Sequence, residues 1–130
     1  MSEPRPVAEP DAITQPFWDA TSEGRFTVQR CAACGHHQFY PRALCIACGS
    51  TDLGFVEASG RASVYSHTTV RRAPHPAFEP PYVVALVRLE EGPVLMTNLV
   101  GIDEPRCDMP VHLVWEDLPD GRKLPLFTGD

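Results

Sequence analysis

Four of the chain's five cysteines fall in one stretch, "CAACGHHQFYPRALCIACGS", as two matching units, Cys31-Ala-Ala-Cys34-Gly35 and Cys45-Ile-Ala-Cys48-Gly49. Two residues between thiols let both sulfurs of a turn reach one ion, and the glycine after the second cysteine allows the backbone angle such a turn needs. Together the turns supply a four-thiolate tetrahedral shell, with Zn–S distances of about 2.3 Å. A catalytic zinc keeps one position open for water; four thiolates fill the shell, so the expected cofactor is a structural zinc at Cys31, Cys34, Cys45 and Cys48. Iron in the same cage would make an electron carrier, although no flavin site or redox partner is suggested elsewhere. His36 and His37 follow the first unit and are expected to be exposed loop residues, since four thiols suffice. Cys107 stands alone between Arg106 and Asp108 and reads as an ordinary small side chain.

Disulfides are the competing use of these thiols. The cysteine count is odd, and the opening "MSEPRPVAEPDAITQ" lacks the apolar core of a signal peptide. The expected location is therefore the cytoplasm, where thiols stay reduced. Nowhere does an apolar run approach the ~18 residues of a membrane span, so no membrane partner is expected.

The elements that must hold the cage flank it. "RFTVQR" leads in as a strand and "LGFVEA" leads out. Before them, "TQPFWDATSEGRF" reads as a short helix: Thr14 as N-cap, Pro16 in the first turn, Gly24 as the stop. Phe17, Ala20 and Thr21 share one face with Trp18 beside them; Phe17 and Trp18 either dock the helix on its own domain or face a partner, and are the candidate partner interface. Residues 1–12 mix prolines with acids and read as a mobile tail.

After Gly60 the pattern becomes alternating. "GRASVYSHTTVRR" sets Val64, Ser66, Thr68 and Val70 against Tyr65, His67 and Thr69. "YVVALVRLE" points Val83, Ala85, Val87 and Leu89 inward; "VLMTNLVG", "MPVHLVWE" and "RKLPLFTGD" complete five short strands. Fourteen prolines, roughly double the usual frequency of about 5%, favour short strands and stiff turns over a helix bundle. The expected architecture is mainly β: an N-terminal helix and four-cysteine ribbon over 13–58, then a five-stranded OB-fold barrel over 59–130.

No nucleophile elbow, phosphate-binding loop or H-E-x-x-H motif appears, and Ser66 and His67, adjacent on one strand, point to opposite faces. The formal net charge of −6 opposes a nucleic-acid backbone. A single-strand-binding ribbon–barrel module would need a basic face with interleaved aromatics, and the strands carry few cations. The most basic spot is the loop "RRAPHPAFEPP", with Arg71, Arg72, His75 and Phe78. Its arginines suit a phosphate, or they pair with Glu79, Glu90 or Glu91.

The order of these motifs, from "PFWDATSEGRF" through the cysteine ribbon to "SGRASVYSHTTVRR", "PPYVVALVRLEEGPVLMTNLVG", "MPVHLVWED" and "LPLF", resembles the rubredoxin-like zinc-ribbon/OB-fold family of acyl-CoA-associated accessory proteins, domain of unknown function thirty-five. The resemblance runs from Thr14 to Phe127. It implies a non-catalytic subunit in a hetero-oligomer with a thiolase-like partner, a thiolase or an acyl-CoA aldolase, helping to bind acyl-CoA in lipid or steroid side-chain metabolism. It also implies zinc at the four ribbon cysteines. By residue chemistry, Arg71, Arg72 and His75 would hold CoA phosphates, with Phe78, Phe17 and Trp18 flanking the adenine or the pantetheine arm. One departure stands before "MPV", where the family often has Ile-Gly and this chain has Cys107-Asp108.

Overall fold

A computed structural model of the chain describes residues 9–129. It contains one helix, α1 (Gln15–Ser22), and eight strands: β1 (Thr27–Cys31), β2 (His37–Gln38), β3 (Leu53–Glu57), β4 (Arg61–Val70), β5 (Tyr82–Leu89), β6 (Val94–Val100), β7 (Pro110–Asp117) and β8 (Lys123–Gly129). The first three form a small sheet in the order β2-β1-β3, and the last five close into a barrel in the order β4-β5-β6-β8-β7. Strands β6 and β8 run parallel; every other barrel neighbour is antiparallel. This is the five-stranded barrel expected from the alternating segments.

The helix is capped one turn earlier than its sequence suggests. Thr14 makes no side-chain cap bond at the helix start. Instead Asp11 Oδ1 accepts the N–H groups of Ile13 (2.9 Å) and Thr14 (2.8 Å), while Thr14 Oγ1 accepts the Asp11 N–H at 3.0 Å. That reciprocal pair satisfies donors that would otherwise lack a partner. Asp11 is thus fixed although the expected tail includes it; residues 1–8 of that tail lie outside the described residues. At the other end Gly24 takes φ 74°, and Glu23 and Arg25 both donate to the Ala20 carbonyl.

Phe17 (1% exposed) and Trp18 (5%) are buried together with Ala20 and Thr21. Of the two readings of these rings, this packing is the one that docks the helix on its own domain. Phe17 packs edge-on against Trp18, Phe26, Phe39 and Tyr40 at 5.0–6.4 Å between centroids. Trp18 Nε1 donates to the Tyr40 hydroxyl at 3.0 Å, and the Arg122 guanidinium lies 4.9 Å over its ring. Both rings are occupied in joining the helix, the ribbon and the β7–β8 turn. Phe26 completes the joint, lying 6.3 Å from Trp115 and from Phe127, so that ribbon and barrel share one core.

Along β5 the inward set Val83, Ala85, Val87 and Leu89 is buried as the alternation predicts. Along β4 the alternation fails. A bulge between Val64 and Ser66 shifts the register, and Tyr65 through Thr69 are all exposed. A bulge adds one residue to one strand and reverses the facing of the residues beyond it, so Ser66, Thr68 and Val70 do not continue the Val64 side. The departure at Cys107-Asp108 is also accounted for. Asp108 takes φ 66°, the left-handed angle a glycine would supply, and its N–H donates to the Val64 carbonyl at 2.7 Å. Aspartate tolerates that region better than most residues.

Candidate metal centre and adjoining groove

The two cysteine units fold into matching turns. Gly35 N–H donates to Cys31 O at 2.7 Å and Gly49 N–H to Cys45 O at 2.8 Å; Cys31 N–H meets His36 O, and Cys45 N–H meets Ser50 O, each at 2.9 Å. Both glycines sit at φ 79°. A Cβ would meet only Arg30 Nη2, at 3.6 Å, from Gly35 and nothing from Gly49. The demand for glycine is therefore conformational and not spatial.

The turns converge. Cys31 Sγ lies 3.7 Å from Cys48 Sγ, Cys34 Sγ lies 3.6 Å from Cys45 Sγ, and all four sulfurs fall within 4.8 Å of one another. A tetrahedron with Zn–S bonds of about 2.3 Å has edges of about 3.8 Å, so the cluster is of the right size for one ion. No disulfide joins them. Cys31 and Cys45 are buried, Cys34 and Cys48 exposed. His36 and His37 do not join the cluster, which among the described residues consists of the four thiols.

Protonation divides unevenly across the cage. The Cys34 backbone N–H, helped by that of Ala33, lowers the Cys31 thiol to about 7 against the opposing effect of burial. For Cys48 the Ser50 N–H pulls downward, but the Cys34 and Cys31 sulfurs outweigh it and push the thiol up to about 12. Four adjacent sulfurs cannot all carry charge unless a cation sits among them. Metal entry must then displace protons, and acid must displace metal.

A second polar group holds the cage to its sheet, and sequence reasoning missed it. Gln29 and Gln38, 3% and 2% exposed, face each other across β1 and β2. Gln38 Nε2 donates to Gln29 Oε1 (2.8 Å) and to Leu44 O (3.1 Å), and its Oε1 accepts the Ile46 N–H at 2.9 Å. Gln29 donates to Arg42 O at 2.9 Å and accepts the Arg42 N–H at 2.8 Å. Two side-chain amides thereby fix the loop that carries the second turn. Gln29 shares the phase of Cys31 on β1, whereas Gln38, on the two-residue β2, carries no such signal.

An apolar groove runs beside the ribbon. The parallel pairing of β6 with β8 covers only Leu99–Phe127 and Val100–Thr128, so Val94–Asn98 diverges from Leu124–Leu126. Pro125 has no N–H to give a ladder there; Thr97 Oγ1 reaches across to its carbonyl at 3.0 Å. The gap opens a hollow of about 350 Å³ walled by Phe39, Tyr40, Val94, Met96 and Leu124. A second, of about 230 Å³, continues past Met96 to Phe78 and Tyr82. Met96 is 71% exposed and Tyr40 39%. In the first loop of the barrel, Phe78 packs on Tyr82 at 5.6 Å and on His75 at 6.0 Å, and His75 Nδ1 accepts the Ala77 N–H. Arg71 and Arg72 are exposed, and neither pairs with an acid among the described residues. Glu90 is held by Arg61, and Glu91 accepts the Ser59 N–H.

Two family models match consecutive parts of the chain. Residues 18–54 match the rubredoxin-like zinc ribbon domain of ChsH2, and residues 55–116 match the ChsH2 C-terminal OB-fold domain. A solved structure described as an Ltp2-ChsH2(DUF35) aldolase is 43% identical, covering 96% of this chain and 98% of that one with a TM-score of 0.85. This chain belongs to the ChsH2/DUF35 zinc-ribbon/OB-fold family. The family is associated with accessory subunits of thiolase-like acyl-CoA enzymes. A protein from Thermomonospora curvata named a probable enoyl-CoA hydratase alpha subunit is 46% identical over 127 residues, or 95% of this chain. A DUF35 domain-containing scaffold protein from Pyrococcus furiosus is 41% identical over 96 residues, or 72% of this chain. The chain spans 39% of the hydratase subunit and 62% of the scaffold protein. No helix among the described residues is long and apolar enough to cross a membrane.

Proposed function

We propose that the protein is a non-catalytic accessory subunit that docks on a thiolase-like enzyme, a thiolase or an acyl-CoA aldolase, and helps that enzyme hold its acyl-CoA. The observation that carries this reading is the four-sulfur cage beside an open apolar groove. Zinc is the ion that fits a family built on this ribbon. Cys31, Cys34, Cys45 and Cys48 would hold it, and its role is structural, because four thiolates leave no position for water or substrate. The groove offers Tyr40, Met96, Phe78 and Tyr82 as flat or adaptable apolar contacts for a pantetheine arm or acyl chain. Arg71, Arg72 and His75 supply the loop beside it with groups suited to CoA phosphates. The partner surface is then sought on exposed residues such as Tyr40, Leu44 and Ile46 and not on Phe17 or Trp18.

Co-expression with a thiolase-like protein from the same organism is the test. A stable complex that binds acyl-CoA more tightly than either part, and loses that gain in Met96→Asp, supports the reading. Separate elution, with partner activity indifferent to this chain, overturns it. An iron-reddened purified protein would instead favour an electron carrier, and a colourless one holding one zinc removes that alternative.

A further inference from the structure

The β4–β5 hairpin extends beyond the closure of the barrel. Strand β4 pairs with β5 from Ala62 to Val70, but with β7 only at Arg61, Ala62 and Ser63. The last bonds on the β7 side join Val64 to Met109 O (2.9 Å) and Asp108 N to Val64 O (2.7 Å). From Tyr65 to Val70 no strand lies along the edge away from β5 among the described residues. Tyr65 to Thr69 are exposed, Tyr65 at 52%.

Sheet edges are usually blunted by a lysine, a proline, a bulge or a covering element. The bulge of β4 stands at the start of this edge and not along it. Within "YSHTTV" there is no lysine, acid, proline or glycine, and Thr68, Thr69 and Val70 are β-branched. The segment is an open row of backbone donors and acceptors with good strand formers on both faces.

Its two ends carry opposite charge. Arg71 follows Val70 directly and is exposed. Asp108, also exposed, abuts the other end through its bond to Val64. Antiparallel pairing about a twofold axis sets each end of one edge against the opposite end of its mate. A foreign strand would have to supply an acid and a base in that order; a second copy of this chain carries them already.

We propose that Tyr65–Val70 is a self-association edge. Two copies add their β4 strands antiparallel into one continuous sheet, and Arg71 of each copy meets Asp108 of the other. Arg72 and the loop beyond it stay outside the seam. Arg71 is also among the groups proposed above for CoA phosphates, so the pairing is measured with neither CoA nor the thiolase-like partner present.

Sedimentation of the full chain from low micromolar to several hundred micromolar, with amide hydrogen exchange at both limits, tests it. A dimer of the 14.3 kDa chain is expected, with the Tyr65–Val70 amides slowed only where it is populated. Thr68→Lys sets like charges across the seam and should weaken the dimer about tenfold or more. Arg71→Gln and Asp108→Asn should each weaken it about two- to tenfold, and the double variant by less than the product of the two. A monomer at every concentration overturns the proposal. So does a dimer whose Tyr65–Val70 amides exchange as in the monomer, or strictly multiplicative effects of the two charge variants. If those amides are protected only by a bound thiolase-like subunit, the edge belongs to that partner and the self-association proposal fails.

Discussion

The ribbon and the barrel sit side by side in one core, yet they are held by different forces. The barrel is closed by backbone ladders around a sheath of apolar side chains, Val64, Val83, Ala85, Val87, Leu89, Leu95, Leu99, Val111 and Phe127. The ribbon has a two-residue strand, three strands in all, and buried glutamines where a core would hold leucines. A segment that small buries too little apolar surface to offset its chain entropy. On the proposed reading, a metal among its sulfurs, two amides and the rings around Phe17 do what a core does elsewhere. The lesson is that one part of this molecule can be dissolved by chemistry that leaves the other untouched.

Metal removal should separate them most. A strong chelator, or acid, is expected to unfold residues 27–57 while the barrel amides of β5 and β6 remain slow to exchange. The sign comes from the cage: Cys48 and Cys34 thiols lie above their ordinary range without a cation, so protons compete with metal more effectively as pH falls. The loss corresponds to about 10–16 kcal/mol of binding energy in small zinc peptides. Barrel amides that collapse along with the ribbon would show that the barrel cannot stand without the metal-held part.

Cutting the joint comes next. Phe26→Ala removes the ring between Phe17, Phe39, Trp115 and Phe127 and should cost about 3–5 kcal/mol. Calorimetry should then resolve two transitions in place of one. A single transition at lower temperature would place the coupling elsewhere, in Trp18 and Arg122.

The smallest effect sharpens the contrast inside the ribbon. Gln38→Leu keeps the volume but leaves the Ile46 N–H and Leu44 carbonyl without their partner, a cost of about 1–3 kcal/mol. Metal should leave this variant faster on chelator challenge, with barrel exchange unchanged. A release rate equal to that of the parent chain would mean the sulfurs hold the loop without help.

How much of this was readable in the residues depends on how local the cause was. The cage is written in two short repeats, Cys-x-x-Cys-Gly, whose geometry depends on little beyond themselves. Strands β5 and β6 announce themselves by alternation because each has one face against the core, whereas β8 buries Pro125, Leu126 and Phe127 in a row and is legible only from the turn before it. The cap at Asp11 escaped because Thr14 is equally good cap chemistry, and only the bonds show which residue accepts. The bulge in β4 leaves no mark on composition; it changes the phase of Ser66 and Thr68 without changing what they are. Gln29 and Gln38 read as surface residues until the fold closes over them. The groove is the least legible feature, since Tyr40, Met96, Phe78 and Leu124 come from four separate segments.

Acyl-CoA turnover by three samples is the decisive measurement: this chain alone, the thiolase-like partner alone, and the two together. The metal-loaded chain is expected to show no turnover, the partner little, and only the complex full activity. Acyl-CoA turnover by the isolated chain, abolished when its metal is removed and restored when it is returned, would contradict a non-catalytic role.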